Sequence, residues 1–139
     1  MAQTFPLKIV TMDGEIFSGE VESIVLRSID GDIAIMAGHT EYCTAVGMGT
    51  ARVKLADGSE RTAACIGGML SVVDGEAHLI PTTWEWSDDI DLARAKLAKE
   101  RAEARLVDTE GLSKESRVRE EARLRRALVR ISSAERWGR

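Results

Sequence analysis

At 139 residues, with 44% hydrophobic and 30% charged side chains, the chain has the length of one ordinary domain or two small ones and the composition of an ordered soluble protein. Its net charge of −4 gives no general reason to expect nucleic-acid binding. No apolar run approaches the roughly 18 residues that a membrane-spanning helix needs.

The charge is unevenly divided. Residues 1–86 carry 5 Lys/Arg against 12 Asp/Glu, whereas residues 87–139 carry 14 against 11, with the excess concentrated from Ser113 onward. The start, Met1-Ala2-Gln3-Thr4-Phe5-Pro6, lacks the charged-then-apolar layout of a signal peptide, which predicts a cytosolic or peripheral protein. Alternating or β-branched stretches then predict strands at residues 7–11, 16–17, 21–27 and 32–36. Four Asp-Gly pairs punctuate this half: Asp13-Gly14, Asp30-Gly31, Asp57-Gly58 and Asp74-Gly75. Asp-Gly between alternating residues is a hairpin signal, because a type I′ turn needs positive φ at both central positions. Strands at 52–55 and 61–63 flank the third pair, and strands at 69–73 and 76–80 flank the fourth, with Pro81 as a stop. Many short strands at this spacing predict an antiparallel sandwich or barrel. Cys43 and Cys65 fit no C-x-x-C, disulfide or metal pattern and read as small buried thiols in strands.

Beyond Pro81 the texture becomes helical. Ser87-Asp88-Asp89 supplies cap residues and acidic charge, followed by Ile90, Ala93, Leu97, Ala104 and Val107 at helical spacing, interrupted at Glu100. Gly111 breaks the run, and Ser113 can cap a second helix with Val118, Leu124, Leu128 and Ile131 beside Ala122, Ala127 and Ala134. Two helices joined by a short break predict an antiparallel hairpin. Its seam is mostly alanine, too thin to stand alone against the cost of ordering the chain, so the hairpin needs a dock: the sandwich, a partner or a ligand. The expected fold is α+β, with an N-terminal antiparallel β-sandwich at 1–86 and a helical hairpin at 87–139.

Three segments in order, Gly14-Glu15-Ile16-Phe17-Ser18-Gly19-Glu20-Val21-Glu22-Ser23, Gly38-His39 and Gly67-Gly68, followed by the helical hairpin, closely resemble the epsilon subunit of bacterial F-type ATP synthases. The resemblance covers essentially the whole chain. It implies a central-stalk subunit, peripheral on the cytoplasmic face of the bacterial plasma membrane with no span of its own. Its sandwich would contact the gamma subunit and the c-ring and help couple proton-driven rotation to the catalytic head. Its hairpin would lie folded or extend into the alpha/beta head and hinder ATP hydrolysis. The resemblance implies no catalysis and no required cofactor, and no nucleophile–base pair, metal cluster or Gly-rich phosphate loop stands in the sequence. The chain departs from the family pattern at Ile35-Met36-Ala37, where a proline is usual, and in the polar stretch Thr40-Glu41-Tyr42-Cys43.

Some members of that family bind ATP through a motif written I(L)-D-x-x-R-A, present here as Ile90-Asp91-Leu92-Ala93-Arg94-Ala95. Carried over by position, the resemblance implies a regulatory ATP site at Glu85, Ile90, Asp91, Arg94, Arg101, Arg126 and Arg130. The chemistry is consistent: the carboxylates of Asp91 and Glu85 can accept from ribose or adenine, Ile90 offers an apolar wall, and guanidinium groups fork onto phosphate oxygens. A plainer reading stands beside it. Asp91 can complement the helix dipole, Arg94 and Arg101 can pair with neighbouring carboxylates, and an arginine-rich second helix also suits an acidic protein surface. The alternative function is a free-standing binding module whose basic C-terminal helix contacts an acidic partner. The acidic sandwich and the lack of an aromatic stacking stripe argue against nucleic acid as that partner. His39 reads as a turn residue, His78 as a surface or packing residue, and Trp137 as an anchor or tail residue, while Trp84 and Trp86 have no assigned role.

Overall fold

The computed structural model describes residues 3–107 and 111–137, without the Trp137 side chain, so the expectations for Met1, Ala2 and Trp137 lie outside the described residues. The chain divides into two compact units, 1–86 and 87–139. The first contains β1 (Phe5–Thr11), β2 (Gly14–Ser28), β3 (Gly31–Met36), β4 (Tyr42–Ala45), β5 (Met48–Leu55), β6 (Glu60–Val73) and β7 (Glu76–Trp86). The second contains a 3-10 turn (Ser87–Asp89), α1 (Leu92–Val107) and α2 (Lys114–Trp137). A β-sandwich followed by two helices is the architecture expected from the sequence.

Two long strands organise the sandwich. In β2, the first half pairs with β1, and the second half pairs with both β3 and β5 after a register shift between Val21 and Ser23. In β6, residues 60–66 pair with β5, residues 69–72 pair with β4, and β7 runs alongside from Ala63 to Val73. The ladder β1–β7–β6–β5–β2 returns to β1, closing the layers around one core. All ladders are antiparallel except β1–β7, which is parallel over three residue pairs. Alternate residues point inward, and Leu7, Ile9, Ile24, Leu26, Ile35, Leu70 and Leu79 are fully buried.

The segments 16–17 and 21–27, separate in the sequence reading, are one strand, as are 61–63 and 69–73. The chain corners within each strand instead of breaking it. In β6 the corner is Gly67-Gly68, where φ is +71° and +121°. A Cβ on Gly68 would lie 2.3 Å from the carbonyl oxygen of Ile80. Pro81, expected to stop β7, sits opposite Gly68 instead, and β7 continues to Trp86. Its missing N–H falls where the partner strand is already bending.

Of the four Asp-Gly pairs, Asp74-Gly75 alone has both residues at positive φ, +52° and +77°, as a type I′ turn requires. In the other three, the glycine alone takes positive φ, one position beyond the turn's centre, while Asp13, Asp30 and Asp57 do not. At the third, Asp57 Oδ1 accepts from the Ser59 backbone N–H (2.8 Å) and the Ser59 hydroxyl (2.5 Å), which hold its carboxyl below the usual pKa. Trp84 and Trp86 belong to an aromatic cluster. They meet edge-to-face at 5.1 Å, Phe17 meets Trp86 at 6.5 Å, and the Arg61 guanidinium lies 3.7 Å from the Trp86 ring.

Gly68→Ala forces a side chain against backbone and into strained φ, so it should destabilise the sandwich by more than about 2 kcal/mol. An unshifted urea midpoint would contradict that geometry. The two thiols differ, correcting the expectation that both are buried. Cys65 is buried and burial pushes its pKa up to about 12, whereas Cys43 on the edge strand β4 is exposed. In native protein at pH 8, one thiol should react promptly with an aromatic disulfide reagent and the second only after denaturation.

Candidate functional site

Helix α1 begins on Asp91. The Arg94 N–H donates to Asp91 Oδ1 at 3.0 Å, and the Ala95 N–H donates to the Asp91 carbonyl at 3.0 Å, which makes Asp91 the N-cap. Ser87-Asp88-Asp89, expected to supply the cap, forms the 3-10 turn before it. Ser113 caps α2 as its position predicts, accepting from the Ser116 N–H at 3.1 Å.

The two helices meet along a seam of small residues. Ala95 and Ala102 are buried on α1, and Ala127 and Ser133 on α2. Leu92, Ala95, Lys99, Ala102 and Leu106, at alternating three- and four-residue spacing, are the least exposed positions of α1. The expected stripe through Ala93, Leu97, Ala104 and Val107 faces outward instead, with Leu97 45% and Val107 81% exposed. Val118 and Leu128 are likewise exposed on α2. Alanine allows the closer approach, so the small residues rather than the large ones mark the contact face. Along one flank of the seam, Lys96 and Glu135 pair across the helices at 3.2 Å.

On another flank a cleft of about 250 Å³ opens between the helices. From α1 it is lined by Ala98, Arg101, Ala102 and Arg105, and from α2 by Glu120, Arg123, Arg126, Ala127 and Arg130. Five guanidinium groups thus surround one carboxylate. Glu120, 6% exposed, accepts at Oε1 from Arg105 (3.2 Å) and from Arg123 (2.6 Å), while its Oε2 is buried without a partner among the described residues. Arg101 and Arg126 form no ion pair among the described residues.

Three of the seven sequence-predicted site residues, Arg101, Arg126 and Arg130, therefore come together in this cleft. Asp91 and Arg94 do not line it, but they continue its α1 stripe. Positions 91, 94, 98, 101 and 105 recur at three- and four-residue spacing, and Arg94 lies about 10 Å along the helix from Arg101. Ile90 is half-buried just before the cap. Glu85 is half-buried in β7 opposite Ala64, in the other unit. Sequence reasoning missed Arg105, Arg123 and Glu120. The arginines follow from Arg101 and Arg126 at one helical turn's spacing, whereas Glu120, beside Glu121 in a charged run, looks like an ordinary solvated residue.

Residues 4–87 match the family model described as the ATP synthase delta/epsilon chain beta-sandwich domain, and residues 88–135 match its long alpha-helix domain. The chain belongs to the ATP synthase delta/epsilon family. Among relatives it is 43% identical to the ATP synthase epsilon chain of Caldicellulosiruptor bescii, over 94% of this chain and 93% of that one. It is 39% identical to that of Clostridium botulinum, over 95% and 96%. A third relative, 38% identical over 78% of this chain and 81% of that one, is the sodium-ion-specific epsilon chain of Acetobacterium woodii. The fold is also similar to a chain of the Euglena gracilis mitochondrial ATP synthase. The TM-score there is 0.78 and the identity 22%, covering 88% of this chain and 76% of that one. A chain of the Tetrahymena thermophila central stalk and c-ring assembly gives a TM-score of 0.61 at 10% identity, covering 96% and 98%. Among the described residues, no helix of this family member is long and apolar enough to cross a membrane.

Asp91→Ala removes the cap and is expected to lower the stability of α1 by about 1 kcal/mol. Thermal unfolding followed by helical circular dichroism checks this, with Asp91→Asn retaining the cap and most of the stability.

Proposed function

We propose that this epsilon-type chain is a non-catalytic central-stalk subunit at the cytoplasmic face of the bacterial plasma membrane, and that its hairpin is an ATP-responsive brake on hydrolysis. The observation that carries the nucleotide reading is the convergence of Arg101, Arg126 and Arg130 on one cleft between two helices. Among the described residues five arginines and one glutamate line the cleft, Arg101 and Arg126 form no ion pair, and a triphosphate is an anion of matching sign and reach. Asp91 and Arg94 continue the α1 stripe on the side where the nucleoside would extend, and Ile90 stands just before the cap. Glu85 joins the site only through the family resemblance.

ATP is then a regulatory ligand rather than a required cofactor. At 100 times its dissociation constant it stabilises the closed hairpin by about 2.7 kcal/mol, enough to decide the state of a marginal element. With ATP abundant the hairpin stays closed. When ATP is scarce the hairpin opens and its arginine-rich helix engages the alpha/beta head, limiting wasteful hydrolysis.

The sandwich is the coupling part, meeting gamma and the c-ring of a proton-translocating synthase. Met69 and Ile80 pair across β6 and β7 and are 48% and 57% exposed, with Val73 exposed further along the same face of β6. Adjacent exposed apolar residues of this kind suit a permanent protein neighbour, and gamma is assigned to them here.

Calorimetric titration of ATP into the full chain tests the nucleotide reading. Saturable binding that weakens at least about tenfold in Arg126→Ala is expected, and absence of heat up to millimolar ATP would reject it. Epsilon-depleted enzyme reconstituted with Arg94→Ala should show inhibition persisting to higher ATP than with the unsubstituted chain. For the sandwich, Ile80→Glu should abolish co-purification with gamma while the isolated domain stays folded, and undiminished recovery of gamma would move the contact to another face.

A further inference from the structure

Glu120 occupies a place that should hold alanine. It lies seven residues before Ala127 in the buried seam, and the next equivalent position is Ala134. A buried carboxylate is unfavourable unless it is paired and fully hydrogen-bonded. The pairing is present but incomplete: Arg105 and Arg123 both donate to Oε1, and the buried Oε2 accepts nothing among the described residues. Neither arginine makes the two-pronged contact that suits a guanidinium best. These two arginines border the same cleft as Arg101, Arg126 and Arg130.

We infer that Glu120 is a built-in counter-anion of the cleft, which ties Arg105 and Arg123 down in the absence of ligand and competes with polyphosphate for them. The inference rests on the cleft being the phosphate site proposed above and adds what sets its affinity. A phosphate chain offers these guanidinium groups more oxygens, in better geometry, than one half-used carboxylate. To take them it must displace Glu120 and approach its negative charge. Both effects raise the ligand concentration at which the hairpin is held. Glu120 also bridges Arg105 of α1 to Arg123 of α2, so it closes that end of the hairpin when no ligand is bound. One residue thus lowers ligand affinity and supports the empty state, and the two effects have opposite signs.

The test uses the full chain as wild type, Glu120→Gln and Glu120→Asp, each titrated with tripolyphosphate and, in parallel, with ATP. Glu120→Gln removes the charge and Glu120→Asp keeps it, while both disturb packing. The expected result is tripolyphosphate binding about tenfold tighter in Glu120→Gln than in wild type. Glu120→Asp should stay at or below wild type, and the empty Glu120→Gln hairpin should melt earlier by circular dichroism. Binding by Glu120→Gln that is equal to or weaker than wild type overturns the inference, as does binding by neither. A second measurement needs no variant: arginine side-chain NMR of the wild type at saturating tripolyphosphate. Shifted Arg105 and Arg123 Nε–H resonances support displacement, and unshifted ones overturn it. ATP binding that is the same in wild type and Glu120→Gln would remove this role of Glu120 and keep the nucleotide reading. Tripolyphosphate binding without ATP binding would remove the nucleotide reading and leave Glu120 to be judged by the tripolyphosphate arm.

Discussion

Repulsion among arginines across an alanine seam is the constraint from which the behaviour of the helical unit follows. Ala95, Ala102 and Ala127 allow the two helices to approach closely, so side chains flanking the seam must face one another. On one flank this brings together Lys96 and Glu135, an attractive pair. On the flank that forms the cleft it brings together five arginines, with Glu120 as the one anion lining it among the described residues. Closing such a cleft without an anion works against the packing that creates it, because like charges at short range in a partly desolvated site are screened poorly. Small side chains contribute little burial in return. On the reading proposed above, the hairpin is an element whose state depends on what occupies its flank.

The sandwich is built on the opposite terms. Its fully buried side chains are mostly leucine, isoleucine and valine, and its ladder closes from β2 back to β1. The long strands β2 and β6 each contribute to more than one ladder, so local opening of either would disrupt several pairings together. Local stability in proteins ranges from near zero up to the global value, and elements that move are drawn from the low end. Here that division follows the composition: large aliphatic residues and glycine corners in the acidic half, alanine and arginine in the basic half. The two units are thus written in different alphabets within one chain.

That contrast also explains what could be read from the sequence. The fold class and the change at the end of β7 were legible because strand alternation and helical spacing are local signals. Strand continuity was not, because Gly67-Gly68 and Pro81 are breakers in isolation but match each other when β6 and β7 pair. The same holds for Asp-Gly. The glycine's positive φ was predictable, but whether it falls at the centre of the turn or just beyond is set by ladder register. On the helices, period was right and face was wrong, since counting large apolar residues selects Leu97 and Val107 while the seam selects alanine. Arg101, Arg126 and Arg130 were identified through family resemblance, and their meeting in one cleft needed the hairpin's register. Glu120 could not have been found from sequence, because only burial distinguishes it from Glu121.

A cleft whose walls come from two separate helices has a thermodynamic consequence of its own. An anion held by Arg101 of α1 and by Arg126 and Arg130 of α2 makes its full set of contacts only when the hairpin is closed. Nearly all of its binding free energy therefore counts as differential affinity between the closed and open states, and only differential affinity can shift such an equilibrium. Linkage makes the relation reciprocal: a protein surface that binds the separated helices must weaken anion binding by the same factor by which the anion weakens its own. An acidic partner acts more directly still, because it competes for the same guanidinium groups. Glu120 enters this balance as a fixed internal anion present in every state of the chain, so it offsets part of the repulsion without responding to concentration. On the reading proposed above, the ligand-dependent part of closure is what remains: the contacts to Arg101, Arg126 and Arg130, together with whatever a ligand gains in taking Arg105 and Arg123 from Glu120.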